Sequence, residues 1–89
     1  MSKYRKKPVV IEAIQWTGNN KGEIEDFAGD AAVWVRLGEF SIMRIETLEG
    51  IMTANKGDWV IKGIAGEYYP CHPNIFAATY ELVEDEVLQ

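Results

Sequence analysis

Between positions 32 and 64 the chain reads "AVWVRLGEFSIMRIETLEGIMTANKGDWVIKGI", in which apolar, β-branched runs are cut by the turn segments "GE", "EG" and "NKG". No other feature constrains the fold as tightly. Loops this short cannot carry a parallel crossover, so neighbouring strands have to pair antiparallel. Strands are expected at 32–37, 40–48, 51–54 and 58–64, following one another as a meander.

Upstream, "VVIEAIQW" (9–16) reads as another strand, with Val10, Ile14 and Trp16 on one face and Val9, Ile11 and Ala13 on the other. Both faces are apolar, which suits a strand covered on two sides. Glu12 interrupts the run and calls for a cation such as Arg36 or Arg44, or for a place at the rim. After the turn "TGNN", the segment "KGEIEDFAGD" (21–30) forms the one early helix, with acidic residues near its start, Ile24 and Phe27 sharing a face and Gly29 as its stop. Further on, "YYPCH" (68–72) pairs back on 58–64 and "PNIFAA" (73–78) makes a helical turn capped by Asn74. "TYELV" (79–83) supplies a last short strand.

The fold class that follows is α+β: a mostly antiparallel, strongly curved sheet or partly open small barrel of about six short strands with one short helix, an arrangement that protects many short edges. No repeat or low-complexity tract divides the chain, so 8–83 is read as one globular domain between a basic arm (1–7) and an acidic tail (84–89).

Charge narrows the partners. Four of the nine basic residues, Lys3, Arg5, Lys6 and Lys7, precede position 8, which leaves five against fourteen acidic residues in the rest of the chain. A body of that sign repels phosphate backbones, and nucleic acid is disfavoured as a partner. The arm is read as solvated or folded back on the acidic body. Apolar runs fall far short of the roughly 20 residues that span a bilayer, so no membrane association is expected. Cys71 is the only cysteine and no apolar leader is apparent, so the expected location is cytoplasmic.

The densest chemistry lies in "GDWVIKGIAGEYYPCHPNIF" (57–76), which sets the only Cys beside the only His. With the hairpin turn at Ala65-Gly66, Lys62 opposes Tyr69, Val60 opposes Cys71 and Trp59 opposes His72. Trp59, Ile61, Tyr68, Pro70 and His72 then share one face, and Val60, Lys62, Ile64, Glu67, Tyr69 and Cys71 the other. Gly63 leaves room for Tyr68 to lie across the strand. Adjacent residues of a strand point to opposite faces, so Cys71 and His72 do not make a nucleophile and base, and Cys71 is read as a small side chain packed near Val60. Zinc-type spacings and phosphate-cradling glycine loops are both missing, and Glu46, Glu49 and Asp58 read as solvated strand or turn residues. No catalytic, metal or cofactor site is therefore assigned. What remains is a set of candidates for contact with a partner or ligand: Trp59, Lys62, Glu67, Tyr68, Tyr69 and His72.

Two segments, "YRKKPVVIEAIQW" (4–16) and "KGDWVIKGIAGEYYPCHPNIFAATYE" (56–81), resemble a widespread family of small proteins of unknown function encoded by phages and prophages of bacteria. The second is similar to the P-G-D-Y/W-type signature of related bacterial proteins, with Lys56 where a proline often stands. The resemblance implies expression inside a bacterial host and brings no catalytic residues with it. It implies an accessory protein that acts by binding a host protein, another phage protein or a small signalling molecule. Read with the aromatic and polar patch around 58–72, the first expectation is a non-enzymatic module that engages an unidentified host or phage protein, and exposed sheet edges with a thin core favour homo-oligomers in a chain this small. The alternative is a binder of a small nucleotide signal, with a base stacked on Trp59 or Tyr69 and phosphates on Lys62, Arg36 or Arg44. An enzyme would have to use Cys71 as its nucleophile.

Overall fold

The computed structural model describes residues 1–83, and the acidic segment 84–89 lies outside the described residues. Six strands and two helices follow in the order β1 (Glu12–Gln15), α1 (Lys21–Ala28), β2 (Ala32–Leu37), β3 (Phe40–Thr47), β4 (Gly50–Ala54), β5 (Trp59–Lys62), β6 (Tyr68–Cys71) and α2 (Pro73–Thr79). All pairings are antiparallel, and the class is α+β as expected. The expected single curved sheet or barrel is replaced by two three-stranded sheets, ordered β1-β5-β6 and β2-β3-β4.

The split has a local cause. Between β4 and β5, the Asp58 amide donates to the Asn55 carbonyl at 2.8 Å and Gly57 takes φ +98°, closing a tight turn that only glycine enters without strain. The chain leaving this turn is met by Trp16, whose amide donates to the Asp58 carbonyl at 2.8 Å and whose carbonyl accepts from Gly57 at 2.7 Å. β5 therefore takes β1 as its neighbour instead of β4. The Asn20 side chain holds the opposite loop, accepting from the Thr17 amide at 2.9 Å and donating to the Gln15 carbonyl at 2.7 Å.

The core lies between the sheets. Ile14, Val60 and Tyr68 from one sheet meet Ala32, Trp34, Met43, Ile45 and Ala54 from the other, with Trp16 and with Ile24, Phe27 and Ala28 of α1. Gly29 ends α1 at φ +58°, as its position in the sequence predicts. Ile61 is fully buried outside that cluster, on the opposite face of β5, where α2 lies. The β1-β5-β6 sheet is thus covered on both faces.

Three sequence expectations are corrected at the level of elements. Strand β1 is shorter than 9–16, because β5 turns into its hairpin loop at Gly63 and leaves residues 9–11 without a partner. Residues 79–83 form no strand; α2 runs through Thr79, giving a second helix where one helical turn was expected, because Phe76 and Tyr80 stand four apart and their rings pack 5.1 Å apart. Asn74 does not cap this helix. His72 does, its Nδ1 accepting from the Asn74 amide at 3.1 Å.

Candidate functional site

The hairpin that gathers the candidate residues is shifted by one position from the expected register: Trp59 pairs with Cys71, Val60 with Pro70, Ile61 with Tyr69 and Lys62 with Tyr68. The loop explains the shift. Gly66 donates to the Gly63 carbonyl at 3.0 Å, Gly63 donates to the Glu67 carbonyl at 2.7 Å, and Gly66 adopts φ +82°. This is a three-residue loop with glycine at its left-handed position, so Gly66 closes it as the third residue and not as the second.

A one-residue slip exchanges the faces of β6 relative to β5. Tyr68 turns toward the core, where its hydroxyl donates to the Phe27 carbonyl at 3.0 Å and its ring meets Phe27 edge-on at 5.5 Å. Lys62 shares that face, across from Glu12 on β1. Glu12 thus has Lys62 as its neighbour and neither of the expected arginines, which belong to β2 and β3. Glu67 braces the loop: its carboxylate accepts from the Ala65 amide at 3.0 Å and fills the space that a side chain at Gly63 would need. The close approach at Gly63 is therefore made by Glu67 and not by Tyr68.

Trp59, Tyr69 and Cys71 share the opposite face with Ile61. Cys71 accordingly sits across from Trp59, away from Val60. Trp59 stacks on Phe76 of α2 with ring centroids 4.3 Å apart and planes 7° apart, and Tyr80 follows in the same row. Lys6 of the basic arm reaches back, its Nζ 5.0 Å above the Tyr80 ring and 3.4 Å from the hydroxyl. A groove of about 620 Å³ opens here, with Trp59 at its floor, Val9, Val10, Ile11 and Ala13 on one side, and Phe76, Ala77, Tyr80 and Leu82 on the other. A second depression, lined by Lys6, Lys7, Glu67, Tyr69 and Tyr80, lies beside it.

Of the six candidates, then, the fold brings Trp59 and Tyr69 to one face of the hairpin, Trp59 in the apolar groove and Tyr69 in the depression beside it. Lys62 and Tyr68 go to the other face, Glu67 ties the loop and His72 caps α2. Phe76 and the side chains at 9–13 are the members that sequence reasoning passed over. The signal was there in "FAATY", a helical pair of aromatics at four-residue spacing.

Two ionisable groups on this face are displaced. Burial pushes the Cys71 thiol up, and the nearby Asp58 carboxylate adds to the effect against the opposing influence of Lys6. A protonated thiol is a poor nucleophile, and His72 has its Nδ1 engaged in the helix cap. The Tyr69 hydroxyl is pushed up to about 12, first by burial and then by its hydrogen bond with Tyr80. The native state thus keeps a proton that the unfolded chain releases near pH 10, and stability is expected to fall as pH rises from 10 to about 12. Denaturant titrations below pH 10 and near pH 12 test this, with the Tyr69→Phe chain expected to lose less over the same interval.

No family model, curated protein or solved structure matches this chain. No three His, Cys, Asp or Glu side chains gather as a metal site among the described residues, and no helix among them is long and apolar enough to cross a membrane.

Proposed function

We propose that the chain is a non-enzymatic protein-binding module, an accessory protein of phage or prophage origin acting in the bacterial cytoplasm, whose aromatic groove accepts an extended apolar segment of a host or phage protein. The observation that carries this reading is the groove itself. Its Trp59–Phe76–Tyr80 row supplies rigid aromatic surface at little entropic cost, the kind of residue that dominates binding energy. One wall is the segment Val9, Val10 and Ile11 that leads into β1, the edge strand of the β1-β5-β6 sheet; these residues have no strand partner and can take one from another chain. A raised Cys71 pKa argues against thiol catalysis at the same place.

Ala77 is exposed on α2 and lines the groove, so Ala77→Glu places a charge in it without touching the core. Affinity capture from phage-infected cells should recover a protein with the wild-type chain and lose it with this variant. Identical sets of captured proteins would sink the reading.

The small-ligand alternative draws on the groove's volume, which lies within the range of roughly 300–1,000 Å³ typical of ligand pockets. Its phosphate contacts are fewer than the sequence suggested, since Arg36 and Arg44 stand on β2 and β3. A small molecule retained by the wild-type chain in native mass spectrometry, and lost with Ala77→Glu, would favour it over a protein segment.

A further inference from the structure

The outward face of the β2-β3-β4 sheet breaks the rule that a sheet covered on one side shows polar residues to water. Pairing places Val33 beside Arg44, Val35 beside Ile42, Leu37 beside Phe40 and Ile51 beside Glu46, all on the face away from the core residues Met43, Ile45 and Ala54. Val33 is 51% exposed, Leu37 53%, Phe40 76% and Ile51 64%. Strands about 4.8 Å apart and residues about 3.4 Å apart give the face a footprint of roughly 14 by 27 Å. That outline is about 380 Å², before the relief of the side chains is counted, and it places the face at the small end of the interfaces that proteins form, below the roughly 800 Å² per partner of a standard one.

Only two charged residues of β3 stand on this face, Arg44 and Glu46, two positions apart. Neither takes part in an ion pair among the described residues, where the single pair joins Lys21 and Glu25. Two opposite charges in line on a central strand are self-complementary under one twofold arrangement and self-repelling under the other.

We infer that this face is the interface of a homodimer in which two copies pack sheet to sheet with β3 antiparallel to its counterpart, so that Arg44 of each copy meets Glu46 of the other. The axis crosses β3 at Ile45. A parallel arrangement would set arginine over arginine and is disfavoured by its charge. The inference uses a surface separate from the aromatic groove, and the two fail independently.

Sedimentation of the full chain tests it. The wild type is expected to be a dimer at micromolar concentration, Arg44→Glu alone and Glu46→Arg alone each to weaken it about tenfold or more, and the double exchange to restore it. Both positions are exposed, so near-ultraviolet circular dichroism should show the same fold in every variant. A monomeric wild type at all soluble concentrations overturns the inference. So does a dimer indifferent to the single exchanges, or one that Ala77→Glu in the groove disrupts instead.

Discussion

Replacing Ile61 by alanine is expected to lower stability by about 2–5 kcal/mol, as much as replacing Ile45 in the core between the sheets. Both side chains are fully buried, yet Ile61 lies outside the cluster that holds Ile45. Ile45 faces the other sheet and α1. Ile61 points to the side where α2 lies, with Trp59 on the same face stacked on Phe76. A helix of seven residues has little stability of its own and stays folded only because it buries such a face. Equal losses for the two substitutions would therefore mean that α2 is docked as firmly as the sheets are to each other. Domains are stable by only about 5–15 kcal/mol, so either change should move a urea midpoint far down at nearly unchanged slope. A cost below about 1 kcal/mol for Ile61→Ala would mean that α2 leaves its site readily, and the groove it helps to form would lose its rigid wall.

The sequence made the strands legible because each is an apolar run ended by a turn, and turn chemistry is local. It made the partition into two sheets illegible because that depends on where Trp16 bonds, and its contact with Asp58 spans more than forty residues of chain. The same contrast separates the two ends of the hairpin. Gly66 was recognisable as a turn glycine, but whether it is the second or third residue of the loop is decided by its φ and by the bond from Gly63 to Glu67. From that one step came the misplacement of Tyr68 and the pairing of Cys71 with Val60. His72 was conspicuous as the only histidine, and its role as a cap follows from Pro73 opening a helix directly after it. A polar residue before a proline is as much a helix-start signal as a chemical one.

The neighbouring tyrosines give the sharpest test of that register. Tyr68→Ala is expected to cost about 2–4 kcal/mol, since it removes a ring packed on the core and leaves the Phe27 carbonyl without its donor. Tyr68→Phe keeps the ring and should cost about 1 kcal/mol, the value of the hydrogen bond. Tyr69→Ala should cost less than Tyr68→Ala, because Tyr69 lies on the groove side with Tyr80 and Lys6 and belongs to no buried cluster. Its loss should instead weaken capture of a partner protein. Chemical denaturation of the three variants, read beside the capture experiment, separates the two roles. If Tyr69→Ala proved the more destabilising and Tyr68→Ala impaired capture, β6 would be offset by one residue from the register described, and Tyr68 would share a face with Trp59. The groove would then be built from a different set of side chains, because in a strand the choice between core and surface is made by a single step of register.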